Sequence, residues 1–354
     1  MTEAETMIEA GISFHRRGAL EEANSCYQRA LELEPDSAVA WYLTGRLAMD
    51  VGLWNEAASM VEKAVSLAPE NAGYALTMGT IMASSGDTEI ARSWYQNALE
   101  LDPGTNEAYI GLANTYLVER RFDEALSIAA PLSALGGDVG GKAQAVTGEC
   151  AFETGDLPAL FEWSAKRGVD LRRGKVLHVG CGKQTPASFP KLASSGDWQE
   201  IRLDINPEVA PDLVGTMTDM AAVESASMNV VYSSHNLEHL QDHEVLIALG
   251  EFSRVLVPGG IAVARVPDLQ SVCEMVAKDQ LFDTAYVSPA GPIAPIDMLF
   301  GLRTAIEAGN LFMRHTTGFT ASSLKWKMRE AGFQYAFVRR LPGFELYAVA
   351  VKAR

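Results

Sequence analysis

Small and apolar positions in the first half of the chain recur at a fixed step. Gly11, Gly45 and Gly79 stand 34 residues apart; Gly18, Gly52 and Gly86 keep that spacing, as do Ala23, Ala57, Ala91 and Ala125. Ala30, Ala64 and Ala98 follow, and Pro35, Pro69 and Pro103 close each unit. The period predicts pairs of antiparallel helices in which small residues allow close approach and the proline stops the second helix. Units fall at 4–37, 38–71, 72–105 and 106–139. A fifth, degenerate pair is expected from Gly148, Gly155 and the helical pattern at 157–163, ending near Gly168. The glycine-rich run at 136–141 reads as a flexible point before it. Trp41, Tyr74, Met78 and Trp94 read as packing residues of the array.

From residue 169 the pattern changes. Short apolar runs at 175–179, 201–205, 212–214, 229–233 and 261–266 predict strands, with helices expected at 188–195 and 321–331 and a closing hairpin at 334–339 and 345–351. Alternating strands and helices predict an open, mostly parallel sheet. The segment at about 270–320 is longer than a crossover needs and reads as a lid-like insertion with a helix at 296–308. Its Pro289, Pro292 and Pro295 leave an exposed polyproline stretch as the lesser alternative. Two domains follow, 1–168 and 169–354, as a chain of 354 residues implies.

Charge sharpens this division. Residues 1–168 carry 11 Lys and Arg against 25 Asp and Glu, a net of −14, whereas 169–354 carry 18 against 20, within −16 for the chain. Such acidity argues against nucleic acid or an anionic membrane as the partner of the first half, and suits a partner with a basic face. Cys26, Cys150, Cys181 and Cys273 lie far apart without metal-ligand spacing, which suits a reducing cytosol. The acidic N-terminus lacks the apolar core of a signal peptide, and no apolar run is long enough to span a bilayer, so the expected location is cytoplasmic.

Chemistry concentrates where the first strand runs into Gly180-Cys181-Gly182, a turn at which a missing Cβ lets backbone approach a ligand. About twenty residues on, the second strand ends in Asp204, the spacing at which a carboxylate grips a ribose diol. A nucleoside ligand follows, but the third glycine of a dinucleotide fingerprint is missing, so NAD is disfavoured. Further blocks stand in order: Leu203–Pro207, Tyr232–His239, Arg254–Gly260 and Val266–Asp268.

With these blocks, the second half resembles the seven-strand S-adenosylmethionine-dependent methyltransferases, and the first half is similar to the tetratricopeptide repeat. The resemblance implies a helical-repeat solenoid joined to an α/β Rossmann-like domain with a mostly parallel seven-stranded sheet. It implies S-adenosylmethionine as cofactor, held by Gly180, Cys181, Gly182, Asp204, Ile205, Asp219, Met220 and Ser234. Asp219 would accept from the adenine amino group and the Met220 N–H would donate to the ring; capping of a helix beginning at Met220 is the alternative for Asp219. His178 stands where the wider superfamily has an acid.

His235, at the end of the fourth strand, is the candidate catalytic residue, a neutral imidazole acting as base or orienting an acceptor. His239 and His243 would follow on one helical face if a helix begins at Asn236. A metal on these three is not expected, because a strand–helix junction rarely closes a three-ligand site. Asp268, Arg303, Asn310, Arg314 and His315 are candidates for acceptor binding, the insertion residues having anchoring as their alternative role. Three functions remain open: a methyltransferase whose repeats recruit a peptide, protein or carrier-bound acceptor; one acting on a small molecule or polysaccharide sugar, with the repeats serving assembly, for instance as a homodimer; and a non-catalytic scaffold.

Overall fold

The computed structural model describes residues 1–153, 163–165, 173–182, 198–288 and 290–353. Two units divide the chain, Met1–Cys150 and Ala151–Arg354.

In the first unit the 34-residue period appears as helix pairs: α1 (Glu3–Arg16) with α2 (Leu20–Leu33), α3 (Ala38–Asp50) with α4 (Trp54–Leu67), α5 (Ala72–Ser84) with α6 (Thr88–Leu101), and α7 (Asn106–Val118) with α8 (Phe122–Leu132). The second helix of each of the first three pairs ends two residues before its proline, since the residue preceding proline is driven out of the helical region. The repeated alanines, Ala23, Ala57, Ala91 and Ala125, are completely buried. The repeated glycines are equally constrained: a Cβ on Gly79 would come within 2.6 Å of the Tyr95 ring, and one on Gly11 within 2.4 Å of Tyr27. Between the helices of a pair the chain turns through a left-handed residue at Gly18, Gly52 and Gly86, and the fourth repeat forces Arg120 into the same region at φ 60°. Tyr74 and Met78 are buried, and Tyr42 stacks on Tyr74.

One expectation is corrected here. The run at 136–141 is not a flexible joint: α9 (Gly137–Glu153) begins inside it. A Cβ on Gly140 would lie 1.7 Å from the Leu135 carbonyl oxygen, so glycine is present for close packing. Most of the second helix of the degenerate fifth pair, and the helix expected at 188–195, lie outside the described residues.

The second unit is built on a seven-stranded sheet in the order β3-β2-β1-β4-β5-β9-β8. Its strands are β1 (Gly174–Val179), β2 (Trp198–Asp204), β3 (Leu213–Val214), β4 (Met228–Ser234), β5 (Leu256–Pro267), β8 (Phe333–Leu341) and β9 (Glu345–Lys352). The first five run parallel, and β9 is antiparallel to both β5 and β8. Order reverses between β1 and β4, which opens a crevice at their carboxyl ends. Leu177, Val231, Leu237, Phe252, Phe319 and Phe333 fill one core beneath it.

Two features depart from the sequence reading. Pro258-Gly259-Gly260 does not precede the fifth strand; it lies inside β5 as a bulge, between the pairs Met228↔Leu256 and Val230↔Ile261. A Cβ on Gly260 would press within 3.0 Å of the Val257 and Asn229 carbonyl oxygens, which accounts for the glycine. The helix expected at 296–308 is two short helices, Pro295–Phe300 and Arg303–Glu307, broken at Gly301 where φ is 96°. Ahead of them Pro292 lies in a small hairpin, β6 (Tyr286–Ser288) with β7 (Gly291–Ile293), and Pro295 opens the next helix, so these two are not part of an extended polyproline stretch. Pro289 lies outside the described residues.

Candidate functional site

At the carboxyl end of β1 the chain enters the left-handed region twice, at Gly180 (φ 63°) and Gly182 (φ 51°). The turn is tied to β2: the Gly180 and Cys181 amides donate to the Leu203 carbonyl, and the Gly182 amide donates to Asp204 Oδ2 at 2.7 Å. Arg202 donates to the Gly182 carbonyl at 2.7 Å, fixing the far side of the turn. Asp204 is buried, and its Oδ1 accepts from the Asn206 amide at 2.9 Å. Among the described residues each carboxylate oxygen accepts one backbone hydrogen bond, which leaves capacity for a second, as gripping a pair of sugar hydroxyls requires. Beside it Ile205 exposes 53% of its surface, an apolar side chain left facing solvent next to a buried acid. The donor and acceptor set at this edge thus fits a nucleoside.

The remaining cofactor candidates lie around this edge with different freedom. Ser234 is half-buried at the end of β4. Cys181 is buried, and burial raises its thiol pKa. Asp219 is exposed; no helix begins at Met220, and the Asp219 side chain accepts from the Ala221 amide in a turn. The donor role expected of Met220 is corrected: its N–H donates to Glu251 Oε2 at 2.8 Å, and its side chain is buried. Glu251 is held by Arg254, whose guanidinium also donates to the Met220 and Val223 carbonyls, so Arg254 organises this loop from within. His178 faces Glu200 on β2 at 2.8 Å and is buried; desolvation outweighs that carboxylate and lowers its pKa.

On the other side of the crevice His235 sits at φ 55°, a conformation uncommon for a residue with a Cβ. Its Nε2 lies 3.0 Å from Glu345 Oε1 and its Nδ1 3.4 Å from Glu238 Oε1. Glu345 in turn pairs with the Arg265 guanidinium. Desolvation pulls the His235 pKa down, but the Glu238 and Glu345 carboxylates more than reverse this and lift it to about 9. The expectation of a neutral imidazole is therefore corrected. With a carboxylate opposite each ring nitrogen, both nitrogens carry protons and neither can accept one. His239 and His243 do not continue a helix from Asn236: a short 3-10 turn spans Leu237–His239 and the next helix is Asp242–Val255.

A cavity of about 370 Å³ opens beside His235, lined by Glu238, His239, Arg265, Tyr286, Met298 and His315 among others. A second, of about 260 Å³, also has Glu238, Pro267, Met298 and His315 in its walls. Of the five acceptor candidates only His315 lines them. Asp268 is buried and consumed internally: it caps the helix Leu269–Val276 through the Gln270 amide, accepts from Ser271 and pairs with Arg340. Arg303 makes a two-point contact with Asp297 and anchors the insertion. Asn310 and Arg314 are exposed, and the part Arg314 plays here is its carbonyl, which accepts from His239.

Three residues of the site were not singled out from sequence. Asn236 staples the strand ends, its Nδ2 donating to the carbonyls of Val179 and Ser234, both at 3.0 Å. Its motif position next to His235 was the available signal. Arg265 and Glu345 carried none, since each acquires its partner from a distant strand.

An open sheet whose order reverses behind a glycine turn and an acid, closed by an antiparallel pair, defines a methyltransferase-type α/β domain, here accompanied by a helical-repeat array. Comparison with known proteins narrows this. The family described as methyltransferase domain matches residues 156–336, and the chain belongs to that family. Tetratricopeptide repeats match at 8–72 and 76–132, so the chain fuses such repeats to a methyltransferase domain. Among curated proteins it is similar to a Hordeum vulgare protein described as probable UDP-N-acetylglucosamine–peptide N-acetylglucosaminyltransferase SPINDLY, 32% identical over 130 residues, 35% of this chain and 14% of that one. It is also similar to tetratricopeptide repeat protein 7A of Homo sapiens, 29% identical over 105 residues, 30% of this chain and 12% of that one. It therefore spans only a small part of these relatives' length. Among solved structures, MamA from Desulfovibrio magneticus RS-1 matches at 17% identity and a TM-score of 0.42, over 47% of this chain and 94% of that one. YrrB, described as a TPR protein with an unusual peptide-binding site, matches at 27% and 0.40, over 46% and 84%. No helix among the described residues is long and apolar enough to cross a membrane.

Proposed function

We propose that the chain is an S-adenosylmethionine-dependent methyltransferase whose helical repeats recruit a peptide, protein or carrier-bound acceptor. The observation that carries this reading is the buried Asp204, which holds the Gly182 amide and keeps acceptor capacity at the switch point of the sheet. Gly180, Gly182, Asp204, Ile205 and Ser234 would hold the cofactor, with Cys181 lending its backbone and Asp219 an exposed acid on the neighbouring loop. When bound, the cofactor supplies an electrophilic methyl group on a sulfonium whose departure as a neutral thioether needs no acid. What is left to the protein is alignment of the acceptor and exclusion of water. His235, pinned between two carboxylates, contributes a fixed positive charge at the edge of the cavity rather than a base.

Recruitment by the repeats is supported by the net charge of −14 over residues 1–168, which favours acceptors carrying a basic stretch. Calorimetric titration of the full chain with S-adenosylmethionine, S-adenosylhomocysteine and NAD tests the cofactor reading: one site for the first two and none for the third is expected. Silence with both adenosyl ligands would leave an inert scaffold. Fluorescence titration with lysine-rich and glutamate-rich peptides tests recruitment, and equal binding of both would remove the basic-partner assignment.

A further inference from the structure

We infer that Glu238, His239 and His315 form a binding site for a divalent transition-metal ion in the wall of the acceptor cavity. One candidate ligand atom from each lies within 4.8 Å of the others, and the two imidazole rings are 5.0 Å apart. The trio differs from the His235, His239 and His243 set considered from sequence, because His315 arrives from the insertion and the helix that would have aligned His243 begins only at Asp242.

Three observations point to an ion. Glu238 is only 1% exposed, and among the described residues its Oε2 accepts no hydrogen bond. Its Oε1 faces the protonated Nδ1 of His235 at 3.4 Å, beyond the usual hydrogen-bond length. A buried carboxylate with one oxygen unpaired and the other held only at long range is costly, and a metal ion is one of the few partners that removes that cost. The tautomer of each histidine is set by a backbone carbonyl. His239 Nδ1 contacts the Arg314 carbonyl at 2.9 Å and His315 Nδ1 the Met298 carbonyl at 2.7 Å. A carbonyl only accepts, so both Nδ1 atoms carry the proton and both Nε2 atoms keep a lone pair, the arrangement that outer hydrogen bonds impose on metal-bound histidines. The backbone locks the two segments together: Thr316 and Thr317 amides donate to the Glu238 carbonyl at 2.9 and 3.2 Å, and Thr316 Oγ1 donates to the His239 carbonyl at 3.0 Å. The frame is thus built before any ion binds.

Two imidazoles and one carboxylate suit Zn²⁺, Co²⁺, Ni²⁺, Mn²⁺ or Fe²⁺ rather than the all-oxygen shells of Ca²⁺ and Mg²⁺, and leave open positions toward the cavity. An acceptor hydroxyl coordinated there would release its proton to bulk water more readily and face the methyl donor as an alkoxide. That consequence rests on the methyltransferase reading; binding of the ion does not.

The test strips the full chain with a chelator and titrates it with Co²⁺, following the visible absorption of the bound ion, and with Zn²⁺ by calorimetry. One equivalent is expected, with affinity at least tenfold weaker in His315→Ala and in Glu238→Gln, and unchanged in His243→Ala, an exposed neighbour outside the trio. His239→Gln is the second variant should either of the first two fail to fold, as judged by circular dichroism. Absence of stoichiometric Co²⁺ and Zn²⁺ binding, or binding that survives in His315→Ala and His239→Gln, overturns the site. S-adenosylhomocysteine titrated into the same proteins separates the two readings: nucleoside binding without metal binding sinks only the metal site, and metal binding without nucleoside binding sinks only the methyltransferase.

Discussion

Adding one methyl group at Gly180 puts the organisation of the crevice to a quantitative test. In Gly180→Ala the new Cβ would lie 2.2 Å from Asn236 Oδ1, on a backbone fixed at φ 63°. A left-handed alanine costs about 1–2 kcal/mol. Pushing the Asn236 amide aside also breaks its two hydrogen bonds to Val179 and Ser234, each worth about 1 kcal/mol. The sum is about 3–4 kcal/mol. Gly182→Ala carries the backbone cost alone, about 1–2 kcal/mol, because among the described residues nothing lies within 4 Å of its added Cβ. Cys181, buried between the two glycines, is the reporter: its thiol reacts only when the turn opens. Thiol labelling of Cys181 followed by peptide mass spectrometry should accelerate roughly 150- to 1,000-fold in Gly180→Ala and only about 5- to 30-fold in Gly182→Ala. Equal acceleration in the two variants would refute the stapling role of Asn236.

Three further outcomes follow from the packing and the charges. Gly79→Ala drives a methyl group into the Tyr95 ring and should destabilise the repeat unit by about 1–3 kcal/mol in urea denaturation, as overpacked cores do. Iodoacetamide at pH 8 should modify the exposed Cys273 well before Cys150, whose thiol burial pushes up to about 11. Glu345 is buried, which alone would raise its pKa, but His235 and Arg265 outweigh burial and lower it. A lowered folded-state pKa means that its stabilisation is present above the ordinary glutamate range near pH 4 and fades as pH falls through the folded value. Denaturation of Glu345→Gln should therefore differ from wild type at pH 6–7 and converge with it under acid.

Local pattern carried much of the architecture. The 34-residue step fixed the helix pairs because each small residue answers to a neighbour within its own or the adjoining repeat, as Gly79 does to Tyr95. Arg120 escaped the pattern, since its left-handed turn has the position but not the residue of Gly18, Gly52 and Gly86. The glycine–acid edge was legible because β1, the glycine turn after it and β2 are close in sequence. The acceptor side was not. His235 reads as a neutral base until Glu345, 110 residues away, is brought to its Nε2. Asp268 reads as a free acid until the helix it caps and Arg340 are in place. Met220 loses its donor to Glu251 for the same reason. Charge partners that arrive from distant strands leave no periodic trace in sequence.

The central claim is that the buried acid at the end of β2 grips the sugar of an adenosyl cofactor beside the glycine turn. A crystal structure of the full chain with S-adenosylhomocysteine tests it most directly. The account predicts both ribose hydroxyls within hydrogen-bonding distance of the Asp204 carboxylate, with backbone of Gly180–Gly182 against the ligand. A nucleoside seated elsewhere, or Asp204 turned away from the sugar, would contradict it.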